Sequence, residues 1–192
     1  MWTEEDRPNP ILTYGKQKVA VENYLIEKSS QWVIARFSKV VSLEADAHDL
    51  FGEWLKDIDA GKVLKCARDQ IFSPAGVEEA VNALIRLAES HFTGIFHVCG
   101  PRPVTRLELL NTLVEEIGKY REVQARIVSC SIRDRDLGFA EPRPFDTSMS
   151  PRKLYATLGH GFNDPREVCR KVAKARYRQG CVTQETGHVN AQ

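Results

Sequence analysis

The stretch Thr13–Val41, TYGKQKVAVENYLIEKSSQWVIARFSKVV, decides the fold. Its first part places Val21, Tyr24 and Leu25 on one face at helical spacing, which predicts a helix over about Gly15–Ser29. Its second part, WVIARFSKVV from Trp32 to Val41, is dense in β-branched residues and reads as a buried strand. Ahead of it, Pro8 and Pro10 predict an extended loop. Beyond it the alternation continues. A helix reads over Ala47–Ala60 with Gly61 closing it. The run FSPAGVEEAVNALIRLAES predicts another, with Val77, Val81, Leu84, Ile85 and Ala88 as its core face. Gly94–Gly100, GIFHVCG, reads as a short strand, followed by a helix in which Thr105 and Glu108 form a capping box and Gly118 is the stop. Val123–Ile132 predicts a third strand. Two helices close the chain, Pro151–Leu158 between Ser150 and Gly159 and one starting at Asp164-Pro165. This order argues an α/β fold with a largely parallel sheet, and three strands are few enough to leave an edge open.

Composition narrows the function classes. Lys and Arg number 27 against 26 Asp and Glu, so there is no global field for nucleic acid or a membrane surface, and an anionic ligand must be held by local groups. No apolar run approaches a membrane span, and MWTEEDRP is unlike a signal peptide, so the expected compartment is cytoplasmic. The 12 glycines contain neither GxGxxG nor GxxGxxG nor a P-loop spacing, so no dinucleotide or phosphate cradle is expected from this sequence. Cys66, Cys99, Cys130, Cys169 and Cys181 form no CxxC pair and read as reduced thiols. The five histidines form no metal-binding pair, and no metal is expected.

The chemical candidate is Tyr14-Gly15-Lys16-Gln17-Lys18, because residues four apart at the start of a helix share a face. An ordinary tyrosine ionises near pH 10, and a neighbouring ammonium favours the phenolate, which suits a general acid/base. The pattern alone is common. Its setting is TEEDRPNPILTYGKQKVAVENYL followed by WVIARFSKVV, with Glu22 after the pair and Arg36 in the strand. That setting resembles the extended short-chain dehydrogenase/reductases. FSPAGVEEAVNALIRL, TGIFHVCGPRPVTRLELLNTLVEEIG and RPFDTSMSPRKLYATLG are similar to the C-terminal portion of the dTDP-4-dehydrorhamnose reductase branch. The likeness runs from about Thr3 to Arg170 in the family's order.

The resemblance implies the C-terminal part of a Rossmann-like doubly wound parallel sheet with a small α/β substrate-binding region, over residues 1–178, and a disordered tail at 179–192. It implies hydride transfer between NADP or NAD and the C4 ketone of a nucleotide-linked deoxysugar, as in dTDP-rhamnose biosynthesis. Tyr14 would be the proton donor, Lys18 would hold the nicotinamide ribose, and Phe37 and Ser38 would lie near the nicotinamide. Arg143 is the first candidate for the substrate, since a guanidinium offers a fork to a diphosphate; Arg68 and Arg102 follow. Arg36 reads as a structural ion-pair partner. Val40-Val41-Ser42-Leu43 departs from the family, which has a glycine soon after the strand. With the family's N-terminal glycine fingerprint and its catalytic Ser/Thr outside this sequence, the chain is expected to be inactive or nearly so when isolated. The same resemblance admits three other readings. One is a catalytically silent nucleotide-sugar-binding or regulatory subunit like the beta subunit of methionine adenosyltransferase, with a partner chain or a second copy. Another is a fragment without separate activity, and the third is an epimerase or dehydratase using the same Tyr and Lys.

Overall fold

A computed structural model describes residues 1–44, 48–134 and 141–178. Helix α1 runs over Thr13–Lys28. The single strand expected over Trp32–Val41 divides at Ser38 into β1 (Val33–Phe37) and β2 (Lys39–Val41). The break has a tertiary cause. β1 pairs in parallel with β6 (Gly94–Val98), whereas β2 pairs in parallel with β5 (Pro74–Gly76), so the two halves join different neighbours. Among the described residues β1 pairs on one edge alone, as the small strand count anticipated.

Register assigns the two faces of the β1–β6 pair. Side chains alternate along a strand, and paired residues in a parallel ladder share a face. Ala35↔Phe96 and the flanking Val33 and Val98 therefore face one way, while Arg36↔His97 with Ile34↔Ile95 face the other. Helix α3 (Val77–Glu89) and helix α5 (Arg152–Leu158) cover the first face through Ala80, Ala83, Leu87, Leu154 and Leu158, packed on Phe96 and Val98. α1 and the N-terminal segment lie over the second. Glu22 of α1 takes both forks of Arg36, and Glu4 accepts a hydrogen bond from the His97 backbone N–H at 3.0 Å. The chain thus builds three layers around two strands.

A second core joins helix α2 (Leu50–Asp59), helix α4 (Arg106–Ile117) and helix α6 (Pro165–Tyr177) to β3 (Leu64–Ala67), which pairs in parallel with β8 (Ile127–Cys130). Phe51, Leu55, Leu109, Leu110, Leu113 and Ile117 are its largest fully buried members, with Trp54 nearly so. Three short strands, β4 (Ile71–Phe72), β7 (Val104–Thr105) and β9 (Asp146–Thr147), run in the order β7-β4-β9 between the two cores. The segment after Gly61, for which the sequence suggests no element, holds β3, whose four residues are too few to carry a periodicity. The expected strand over Val123–Ile132 is confined to Ile127–Cys130.

Among the described residues the starts of α2, α4 and α6 carry a side-chain cap, and those of α1, α3 and α5 do not. Asp49 accepts from Phe51 and Gly52 N–H, and Asp164 accepts from Arg166 N–H ahead of Pro165. Thr105 accepts from Glu108 N–H at 3.0 Å, but Glu108 does not complete the box, because its carboxylate is drawn to Arg102. Ser150 does not cap α5. The N-cap is Pro151, without a side-chain bond, and Ser150 N–H is taken by the Trp2 carbonyl at 2.7 Å.

The face of α3 is a correction. Ala80, Ala83 and Leu87 are buried, while Val81, Leu84 and Ile85 are 47%, 39% and 48% exposed. Periodicity finds an apolar stripe but not its direction, and the close approach of α3 to the sheet selects the two alanines. α1 is more extreme: none of its residues is buried, and Val21, Tyr24 and Leu25 all face solvent. Among the described residues no helix is long and apolar enough to cross a membrane. The expected tail at 179–192 lies outside the described residues, as does Cys181. Cys66, Cys99, Cys130 and Cys169 are free and buried.

Candidate active site

The second face of the β1–β6 pair forms the floor of a cavity of about 1030 Å³. Its walls come from distant parts of the sequence. The N-terminal segment contributes Trp2 and Asp6 to Leu12, α1 contributes Tyr14, Gly15 and Val19, and the strands contribute Arg36, Phe37 and His97. Ile132 to Asp134 and Glu141 to Thr147 close the far side. The N-terminal segment is tied down as a strap. Trp2 N–H donates to Ser148 O at 2.9 Å, Ser150 N–H returns to Trp2 O, and the Trp2 indole donates to Asp146 O at 3.2 Å.

Tyr14 and Lys18 come together as their spacing predicts. The Lys18 ammonium lies 5.2 Å from the centre of the Tyr14 ring, and Tyr14 lines the cavity with 65% of its surface exposed. Ammonium and aromatic ring attract at this range. One turn on from Lys18, Glu22 fixes the helix: Arg36 Nε donates to Glu22 Oε1 at 3.0 Å and Nη2 to Oε2 at 2.6 Å. Both side chains are at least four-fifths buried, so this bidentate pair is the strongest polar tie between α1 and the sheet beneath it.

The other candidates separate. Phe37 and Arg143 line the cavity. Ser38, one residue after Phe37, does not; its hydroxyl donates to Thr147 O at 3.0 Å and accepts from Ser73 N–H at 2.9 Å, joining β9 to the segment before β5. Arg68 is exposed at the end of β3, away from the cavity wall. Arg102 is held by two carboxylates, Asp164 at 2.7 Å and Glu108 at 3.0 Å, which clamp the start of α6 to that of α4 and hold its guanidinium firmly in the charged form. Its partner in α6 is 62 residues away, so local spacing carried no sign of the capture.

Two cavity residues escaped the sequence reading. Arg133 stands on a turn in which Asp69 accepts from Ser131 Oγ and Ile132 N–H, both at 2.6 Å. Its guanidinium lies 4.4 Å from the centre of the Phe145 ring. His97, 1% exposed, has an Nδ1 without a hydrogen-bond partner among the described residues. Burial pushes its ionisation below the ordinary histidine value, with the Arg36 charge adding to this and Glu4, Asp6 and the Trp2 carbonyl opposing it.

A depressed histidine binds its proton more weakly folded than unfolded. Its stabilising contribution is complete above the unfolded value near pH 6.5 and is lost as pH falls through the folded one. Urea unfolding at pH 7.5 and 5.5 should therefore reveal a loss of stability in the wild type that shrinks in His97→Gln. Equal losses in both proteins would remove His97 as the cause.

Known proteins were compared with this architecture. The sequence is 27% identical over 146 residues to the probable low-salt glycan biosynthesis reductase Agl14 of Haloferax volcanii, covering 74% of this chain and 47% of that one. The fold is similar to the dTDP-4-dehydrorhamnose reductase of Bacillus anthracis in complex with NADP, with a TM-score of 0.76 at 18% identity, covering 88% of this chain and 58% of that one. A hypothetical dTDP-4-dehydrorhamnose reductase from Sulfolobus tokodaii gives 0.72 at 25% identity, covering 85% and 55%. The chain therefore spans about half the length of these relatives. Residues 1–177 match the RmlD substrate binding domain, and with that span the chain belongs to the RmlD substrate binding domain family.

Proposed function

We propose that the chain carries the proton-transfer and substrate-binding portion of an NAD(P)H-dependent reductase acting on the C4 ketone of a nucleotide-linked deoxysugar. The observation that carries this reading is Tyr14 lining the same large cavity as Arg133 and Arg143, with the Lys18 ammonium beside its ring. Agl14 is described as a probable reductase and the Bacillus anthracis reductase is bound to NADP, which supports the same chemistry here.

The cofactor test divides in two. Tyr14 and Phe37 line the cavity and the Lys18 ammonium lies beside the Tyr14 ring, so an aromatic face, a hydroxyl and an ammonium that suit the nicotinamide and its ribose are present. The sequence has no glycine cradle for the pyrophosphate, so these residues do not account for that part of the dinucleotide. The hydride for the ketone carbon is what a bound reduced nicotinamide supplies. As the carbonyl carbon accepts it, the oxygen becomes an alkoxide, and the Tyr14 hydroxyl gives it a proton. The phenolate left behind is balanced by the Lys18 charge. The Glu22–Arg36 pair holds the helix so that the hydroxyl meets the substrate at a defined place.

The assay is ketone-dependent oxidation of NADPH with a nucleotide-linked 4-ketosugar. Tyr14→Phe should lower kcat by about 10²–10⁴, the range for loss of one general acid, with KM little changed. A wild-type rate in Tyr14→Phe would remove Tyr14 as the proton donor, and no turnover by the wild type with any such ketone would count against stand-alone activity.

A further inference from the structure

We propose that Arg133, braced on Phe145, is a second phosphoryl-binding arm of the cavity, beyond Arg143, and that it grips the diphosphate of the nucleotide-linked substrate. The proposal rests on the reading above for the identity of the ligand. It rests on the placement of the Arg133 guanidinium for the chemistry.

The carboxylates of the cavity wall are already engaged. Asp6 accepts from Thr3 N–H and Oγ1, Asp134 from Ser131 N–H, Asp146 from Ser148 N–H and Glu141 from Thr13 Oγ1. On the floor, Arg36 is neutralised by Glu22. Arg133 differs. Its guanidinium rests against the Phe145 ring, and among the described residues no carboxylate or carbonyl accepts a hydrogen bond from it. A lone exposed arginine would sweep through many rotamers. This one is held by a ring on one side and by its backbone on the other. Arg133 N–H donates to Ser131 Oγ, whose own proton goes to Asp69, and Asp134 closes the turn by accepting from Ser131 N–H. Such bracing lowers the entropy lost on binding while leaving the planar donor fork free to meet two oxygens.

A guanidinium braced at the cavity wall, whose fork meets no acceptor among the described residues, is matched to an anion with several oxygens. A carboxylate would use one fork. A diphosphate has oxygens on both phosphorus atoms and can reach from Arg133 towards Arg143, which lines the same wall. The same phosphoryl chemistry exists on the cofactor, so the experiment must separate the two sources.

The test is calorimetric titration of the full chain with dTDP, thymidine, inorganic pyrophosphate and NADP. Arg133→Gln should weaken dTDP about ten- to a hundredfold, as expected for losing a charge-assisted fork, and leave thymidine within about twofold. Arg133 is exposed, so the variant should fold as the wild type does. Phe145→Leu keeps the charge but removes the ring and should give a smaller loss of the same kind. Equal dTDP binding by wild type and Arg133→Gln overturns the arm and leaves the nucleotide-sugar reading standing. Arg133-dependent binding of pyrophosphate without any binding of dTDP sustains the arm and removes that reading. Loss confined to NADP assigns the arginine to the cofactor and overturns the substrate assignment. No binding of any phosphoryl ligand overturns both.

Discussion

Gly100→Ala is expected to cost about 3–5 kcal/mol of stability, at the upper end for a single substitution, and to lower the melting temperature by roughly 10 °C. A Cβ built at this position would stand 2.0 Å from the Pro74 carbonyl oxygen, far inside contact distance. Neither partner can yield cheaply. Pro74 is the first residue of β5, paired with Lys39 of β2, and Gly100 N–H donates to Ser73 O at 3.3 Å just beyond β6. The glycine therefore lets the end of β6 run against β5. Gly61→Ala is the contrast. It has φ +64 but open space around it, so it should cost only about 1–2 kcal/mol from the backbone conformation. Thermal and urea unfolding of the two variants separate the effects. A Gly100→Ala protein within about 1 kcal/mol of the wild type would mean that β5 and β6 slide apart freely.

Breaking the Glu22–Arg36 pair should free α1 from the sheet. A helix normally docks through a buried apolar stripe, and α1 has no buried residue among its 16. The bidentate pair takes over part of that task. Truncating one member of a fully buried pair costs about 3–5 kcal/mol, and an exposed pair is worth under about 1. With 19% and 15% of the two side chains exposed, Arg36→Leu falls between, at about 2 kcal/mol. That corresponds to roughly thirtyfold faster opening of α1, read as amide hydrogen exchange over Thr13–Lys28. Arg36→Lys should recover only part, because an ammonium cannot reproduce the fork. Glu22→Leu with Arg36→Leu should recover more, because no charge is then left unpaired. Unchanged exchange in Arg36→Leu would show that Val19 and the loop around Pro10 hold the helix by themselves.

Much of the architecture was legible before any coordinates. Thr105 and Asp164 each stand where a helix start needs an oxygen, and Gly61 and Gly159 mark two ends. These devices act within a few residues, so the local sequence carries them in full. The pairing of Tyr14 with Lys18 is legible for the same reason, being one turn of a single helix. The direction of α3 was not. Val81, Leu84 and Ile85 form as good a stripe as Ala80, Ala83 and Leu87, and only the distance to the sheet decides between them. Side-chain fates were less legible still. Ser38 joins Thr147, 109 residues on, and Arg102 joins Asp164 across 62 residues.

By itself the sequence determined the order of the helices and of three strand regions, the near-neutral charge that leaves anion binding to local groups, and the Tyr14–Lys18 pair with its setting. Tertiary structure alone decided that WVIARFSKVV splits between two sheets, that Glu22 and Arg36 lock the helix, and that Arg133 is braced on Phe145 at the cavity wall while Arg102 and Ser38 are tied into the scaffold. The physical reason is range. Capping and helical spacing are set by covalent neighbours, whereas a guanidinium or hydroxyl goes to whichever acceptor the packed chain delivers, and that acceptor is chosen by contacts tens of residues away.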